Sequence, residues 1–529
     1  MSANQPRRPN RPHVVLITTD QQRFNTTGPA APPWLRTPHL DHLAREGVSF
    51  SRAYADCPVC IPSRISIMTG TQGFTHGMLG NGKLPDGTLP IDPARSLPAR
   101  MRSLGYQTVG VGKMHFEPQR ARYGFEELIL PDDYYHWMRT QGVSLGAGRP
   151  MDHGLGQNEL YPGMATVPES YTLTAWTVDQ CVDYVKRRRD PTRPLFMWCS
   201  FSKPHPPLDP PEPYYSMYRH NPDCPLPEPW RSEWSVPGTD SVPEAFRRFR
   251  ESWSLDQLPL EVLREARAAY YGLITQIDYN MGRLFAGFQD LGEFNDTVFL
   301  FTSDHGELLG DHHSGGKSYW YEGSAHVPFI LRLPPTFRDR RAGVTVDSPV
   351  CLADVYTTCI AAAGGDLPSE GGATTTRALD GRDLVSLALS ASSGDAGSAG
   401  SGDPASSRTT AALGRDWLEG ACGRPEPQWH GLTDGRWKYV YYFGDGREQL
   451  FDLQSDPHEL TELVAAEAAH SQLEECRSVL AARFAERGSD LVRDGKFAVL
   501  GLPDETEAAR RARPWPGYHT TEFHVDVRH

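Results

Sequence analysis

A nucleophile, a helix start and a fixed positive charge fall together in Cys57-Pro-Val-Cys60-Ile61-Pro62-Ser63-Arg64, which runs on into Ile-Ser-Ile-Met-Thr69-Gly70. Pro62 and Ser63 ahead of an apolar run read as a loop entering a helix, with Pro62 in the first turn. Cys60 then sits at the helix N-terminus, where free N–H groups and the positive dipole end favour an anion. Arg64, one turn on, adds a planar donor fork. Such a site suits a negatively charged oxyanion beside a nucleophile. Two plainer readings stand next to it: Cys57 and Cys60 as a C-x-x-C zinc or redox pair, and Cys60 as an ordinary buried thiol. Zinc would need a second ligand pair and a redox motif the first strand of a small domain, and the chain offers neither context.

Further candidates stand at the ends of apolar runs. Val14 to Thr19 leads into Asp20-Gln21, and Thr297 to Ser303 leads into Asp304-His305. Polar groups just past the carboxyl ends of buried parallel strands occupy the place where α/β folds bind ligands. The two pairs together are what one oxygen-rich divalent site needs, although Asp20 taken alone could cap a helix or turn. Tyr106 to Gly112 ends in Lys113-Met114-His115-Phe116, where two residues of an extended chain would point the same way. Leu195 to Phe201 leads to His205, flanked by Pro204 and Pro206, which suits an acid held over a leaving group. Gly80-Asn81-Gly82 has the composition of a tight turn. His39 and His42, and His312 and His313 after the turn at Gly310-Asp311, read as surface residues.

In this order the blocks resemble the type I sulfatases, whose signature is matched at Cys60, Pro62, Ser63, Arg64, Thr69 and Gly70. The resemblance implies an alkaline-phosphatase-like α/β sandwich, with a mostly parallel central sheet between helices and a small C-terminal α+β subdomain carrying an antiparallel sheet. It also implies that Cys60 is oxidised by a formylglycine-generating enzyme to formylglycine (3-oxoalanine), and that the product cleaves a small organic sulfate monoester. Metal ligands would be Asp20, Gln21, Asp304, His305 and the group made from Cys60. Arg64, Lys113 and Lys317 would neutralise sulfate, His205 would serve the leaving alcohol, His115 would act as base on the hydrated aldehyde, and Asn81 would touch substrate. Gln21 in place of Asp, and His305 in place of Asn, also occur in phosphonate monoester hydrolases and choline sulfatases. Ca²⁺ leads, with Mn²⁺ or Zn²⁺ as alternatives. Lys113-Met-His-Phe116 looks like the choline-sulfatase branch among bacterial arylsulfatase-like members, and Tyr134, Tyr135 and Trp137 are candidate faces for a cation. The rival functions are a phosphonate monoester or phosphodiester hydrolase and a catalytically silent binding protein with unmodified Cys60.

The elements that position these residues divide the chain into a disordered tail at 1–12, a catalytic domain at 13–389, a flexible Gly/Ser/Ala-rich insert at 390–408, a C-terminal subdomain at 409–490 and a tail at 491–529. Residues 117 to 170 lack clear periodicity and read as a long loop walling the pocket. Pro259 to Leu291 reads as a helix whose Leu263, Ala266, Tyr270, Ile274, Ile277 and Met281 are core positions without chemistry. Residues 206–257 carry no assignment. The net charge of −13 argues against a nucleic-acid partner held through phosphates. No apolar run approaches a membrane span, and the run after Pro12 is too short for a signal peptide, so a cytoplasmic location is expected. Nine irregularly spaced cysteines fit reduced thiols.

Overall fold

The computed structural model describes residues 11–143, 155, 158–222, 224, 226–238, 241–367, 379–391, 417–423 and 428–502. The expected tail at 1–12 thus falls almost wholly outside the described residues, as do nearly all of the insert at 390–408 and most of the C-terminal tail.

The chain forms β1 (His13–Asp20), β2 (Val48–Phe50), β3 (Ala53–Tyr54), β4 (Gln107–Gly112), β5 (Glu127–Ile129), β6 (Leu195–Pro204), β7 (Thr297–Ser303), β8 (Phe329–Arg332), β9 (Val344–Val346) and β10 (Val350–Cys351). Eight of these build the central sheet in the order β5-β4-β6-β1-β7-β8-β2-β9. The run β5-β4-β6-β1-β7 is parallel throughout, and β8 reverses against both β7 and β2. The strands read as continuous apolar runs because both faces are covered. Val14 and Leu16 of β1 face one core with Ile61, Ile65 and Met68 of the helix Cys60–Thr69. Val15 and Ile17 face the other, with Ile277, Met281 and Leu284 of the helix Leu260–Asp290. Because β4, β6, β1 and β7 are adjacent and parallel, the residues following each leave the sheet at the same edge.

Three expectations change. Residues 117 to 170 are not one long loop: β5 is followed by a helix at Pro131–Thr140. Leu130, Tyr134 and Met138 are buried at helical spacing, and Tyr134 packs edge-on to Trp176 at 5.6 Å while Trp137 lies 5.4 Å from Tyr171. Tyr134 is therefore a packing residue, whereas Tyr135 and Trp137 are half-buried. Residues 206–257 now have a place: the helix Glu244–Trp253 and the turns before it cover the loop 307–322, with Trp230 4.3 Å from His313 and Trp234 4.8 Å from His312. His312 and His313 are accordingly buried, against the surface reading. The helix Asp354–Ala362 starts just after Val350 and Cys351 pair with Ala53 and Tyr54, and the Asp354 carboxylate accepts the Cys351 N–H at 2.7 Å.

The expected antiparallel C-terminal sheet has four strands: β11 (Leu418–Cys422), β12 (Trp429–Thr433), β13 (Trp437–Tyr442) and β14 (Glu448–Asp452), backed by the helix His470–Glu486. Among the described residues no helix is long and apolar enough to cross a membrane. All nine cysteines are buried free thiols.

Candidate active site

Cys60 is the first residue of the helix Cys60–Thr69 and is 1% exposed. The helix start is fixed from two sides: Asn81 Oδ1 accepts the Ile61 N–H at 2.9 Å, and Ser63 Oγ donates to the Cys57 carbonyl at 2.9 Å. Asn81 thus joins the site by capping the helix that carries Cys60.

The strand ends bring the remaining groups to this point. Asp20, Cys60, Asp304 and His305 each present a ligand atom within 4.8 Å of the others. His305 Nε2 is 3.2 Å from Cys60 Sγ and 3.6 Å from a carboxylate oxygen of both Asp20 and Asp304. His305 Nδ1 is 2.8 Å from the Gly306 carbonyl, which only accepts, so Nδ1 carries a proton, and in the neutral ring Nε2 turns a lone pair to the point where the carboxylates converge. Two carboxylates, one imidazole lone pair and position 60, all buried and converging, fit a divalent cation. Gln21 stands beside them with φ 73°, its N–H donating to Asp304 Oδ1 at 3.1 Å and its side-chain oxygen taking the Lys317 ammonium at 2.7 Å.

Cations close the site from the other side. Lys317 Nζ is 3.3 Å from Cys60 Sγ, Lys113 pairs with Asp20, and Arg64 lies 2.8 Å from Asp304 and 3.5 Å from Asp20. Arg64 is held in turn by the Lys113 carbonyl and by Ser200 Oγ at 2.9 Å. The strand β4 ends at Gly112, whose φ of 94° and close approach, with a Cβ falling 2.0 Å from the Ser200 carbonyl, only glycine accepts. Lys113 and His115 are therefore placed by a turn, not by strand alternation. His115 is half-buried with φ 57°. His205 is reached from the bend after β6, its N–H bonded to the Asp20 carbonyl at 3.0 Å and its Nδ1 2.8 Å from the Pro206 carbonyl.

Electrostatics follow from this crowding. Burial would raise the Asp20 carboxyl, but Lys113, His205, Lys317 and Arg64 outweigh it and hold Asp20 well below the usual carboxylate range. Burial and the Asp20 charge would raise the Cys60 thiol, yet Lys317, Lys113 and His305 pull it well below its ordinary value. Burial, then Lys317, pushes His205 well below the usual histidine range.

Residues the sequence reading left without a role support the group. The Tyr270 hydroxyl donates to the Gln21 carbonyl at 2.7 Å and accepts the Arg23 N–H at 2.9 Å, so this core position also serves the site. Glu307 accepts from the Gln21 amide, and Ser200 anchors both Arg64 and Lys113. Glu307 lies inside the Asp304-His-Gly-Glu307 run, but its partner is far away in sequence.

A parallel-stranded sandwich that gathers acidic ligands, a nucleophile position and cations at one sheet edge defines a hydrolase of the alkaline-phosphatase-like class. The family model for Sulfatase matches residues 12–365. The chain is 31% identical over 515 residues to an arylsulfatase of Clostridium perfringens (strain 13 / Type A), covering 94% of this chain and 99% of that protein. It is 28% identical to a choline-sulfatase of Rhizobium meliloti (strain 1021), covering 86% of this chain and 82% of that one. The phosphonate monoester hydrolase of Agrobacterium radiobacter shares the fold, with a TM-score of 0.68, 24% identity, and coverage of 94% and 99%. The chain belongs to the sulfatase family and is a sulfuric ester hydrolase.

Proposed function

We propose that this sulfatase cleaves small organic sulfate monoesters, aryl sulfates first, through a formylglycine made from Cys60 and one divalent cation, Ca²⁺ before Mn²⁺ or Zn²⁺. The observation that carries this reading is Cys60 itself: its Sγ stands at a helix start within 3.3 Å of both His305 and Lys317, inside a group of converging ligands. Asp20, Gln21, Asp304 and His305 would hold the cation together with the group at position 60. When bound, the cation lowers the pKa of a hydroxyl beside it, and the hydrated aldehyde offers one hydroxyl to sulfur and a second through which sulfate is released.

The chain's own residues do the rest. Arg64, Lys113 and Lys317 set fixed positive charge around the sulfate oxygens, Arg64 and Lys317 from buried positions that water screens little. The Nδ1 proton of His205 is committed to the Pro206 carbonyl, so in the neutral ring Nε2 is bare. An arriving sulfate anion favours the protonated form, which lets His205 deliver a proton to the leaving alcohol. His115 takes the proton whose loss releases sulfate. Because Cys60 is buried, the formylglycine-generating enzyme meets it before the chain has folded.

Similarity to the arylsulfatase of Clostridium perfringens favours aryl sulfates, while Tyr135, half-buried and near Lys113, supports testing choline sulfate beside them. Gln21 and His305 support the second reading, a phosphonate monoester hydrolase. Initial rates on 4-nitrophenyl sulfate, choline sulfate and a 4-nitrophenyl phosphonate ester, with the maturing enzyme co-expressed, separate the three. The aryl sulfate should turn over fastest, and Cys60→Ala should abolish that activity. Faster phosphonate cleavage would move the protein to the second reading.

A further inference from the structure

The side-chain amide of Gln21 lies between two groups whose hydrogen-bond polarity cannot be reversed. Lys317 Nζ carries only donors and is 2.7 Å from Gln21 Oε1. An ionised Glu307 has only acceptors, and its Oε2 takes the Gln21 Nε2–H. One orientation of the amide satisfies both. The second oxygen of Glu307 accepts the Leu309 N–H at 2.9 Å and the Gly316 N–H at 2.5 Å, the latter directly before Lys317. Glu307 is 1% exposed, and the line from Glu307 through the amide to Lys317 ends 3.3 Å from Cys60 Sγ.

A carboxylate at position 21 would meet Glu307 acceptor to acceptor, with like charges in contact. The amide at 21 and the acid at 307 are therefore one matched pair. We propose that Glu307 is a positioning residue of the catalytic centre: it turns the Gln21 oxygen toward Lys317 and the cation ligands, anchors the loop that presents Lys317, and carries the negative charge that an acidic residue at 21 would otherwise bring. The inference rests on the metal-dependent sulfatase reading above.

Exchanging the two residues tests it. In the double variant Gln21→Glu/Glu307→Gln, the new carboxylate would accept from Lys317 and from the new amide. That amide's oxygen would keep the Leu309 and Gly316 N–H groups, so every donor again faces an acceptor. Calorimetric Ca²⁺ titration of metal-stripped protein, the Ca²⁺-induced rise in the thermal midpoint, and kcat and KM on 4-nitrophenyl sulfate are the readouts. Glu307→Gln alone should weaken Ca²⁺ about 10- to 100-fold and lower kcat more than KM changes. Gln21→Glu alone should also weaken binding, through carboxylate repulsion, and the double variant should bind within about threefold of wild type, a recovery far outside ordinary additivity. Wild-type affinity in Glu307→Gln, or a double variant no better than the weaker single one, would overturn the proposal. Should Glu307→Gln fail to fold, Gln21→Glu against the double variant makes the same decision. Wild type that binds none of Ca²⁺, Mn²⁺ and Zn²⁺ would overturn the metal reading as well.

Discussion

Two buried groups of charge flank the segment 304–322, and they are built on different plans. Where the C-terminal sheet meets the catalytic domain, Lys438 is fully buried and pairs with both Glu322 and Glu459, while Glu322 also takes His326 at 2.6 Å. Each charge there meets an opposite one, and Lys438 further donates to the Trp320 carbonyl at 2.9 Å. Around Cys60 the carboxylates are also paired, Asp20 with Lys113 and Asp304 with Arg64, yet a ligand atom of each also lies within 4.8 Å of one from His305 and of Cys60 Sγ. A cluster that only held the fold together would be matched internally, as at Lys438. Acceptors that converge as well as pair offer one further cation a ready set of ligands.

The matched group also sets the convergent one. Trp320, three residues past Lys317, lies flat on Gly420 and Gly431, which face each other across β11 and β12. A Cβ on either would fall 2.5 Å and 2.7 Å from the indole. The Trp429 indole N–H holds the Ser318 carbonyl at 2.8 Å, and the Ser318 N–H holds the Pro58 carbonyl at 3.1 Å. The C-terminal sheet thus shapes the loop that delivers Lys317.

The contrast is broken most severely at Lys438. Lys438→Met leaves Glu322 and Glu459 buried without their cation and should cost about 3–5 kcal/mol in urea unfolding, with the folded fraction still binding Ca²⁺. Lys317→Ala should do the reverse: a fall in kcat of about 10²- to 10³-fold on 4-nitrophenyl sulfate, at a thermal midpoint near that of wild type. Equal loss of stability from both would mean that the two groups share one structural role. Gly431→Val tests the link between them. Overpacking against Trp320 should cost about 1–3 kcal/mol and lower kcat as well, whereas an unchanged kcat would detach the sheet from Lys317.

The smallest effect is in pH. Burial would raise the Glu322 carboxyl, but Lys438 and His326 hold it well below its ordinary value of 4.5. Below that value the unfolded chain binds the proton first, so stability rises with pH in this range. The contribution is complete above about pH 4.5 and is lost as the solution is acidified further. Glu322→Gln should flatten the slope of urea midpoints taken between about pH 3 and 5, and an unchanged slope would contradict the assignment.

The sequence carried the strand ends well, because β1, β4, β6 and β7 are mostly apolar runs that lead into polar or charged residues. Asp20, Lys113, His205 and Asp304 stood out from that pattern, and the resemblance to the sulfatases supplied their roles. What it hid depends on contacts distant in the chain. Leu130, Tyr134 and Met138 do carry a helical period, but it is short and lies next to a stretch rich in loop residues. His312 and His313 look polar and exposed until residues 228–253 fold over them. In β11 and β12 the glycines weaken the strand signal because they make room for Trp320. Glu307 and Tyr270 show their purpose only opposite Gln21, at the far side of the site.

The formylglycine mechanism depends most directly on the chemical state of position 60. Preparations made with graded amounts of the maturing enzyme should be assayed on 4-nitrophenyl sulfate, with the Cys60 peptide of each examined by mass spectrometry. Activity should rise in proportion to the fraction in which the thiol has become an aldehyde, and vanish where none has. Full activity in protein whose Cys60 is entirely thiol would contradict it.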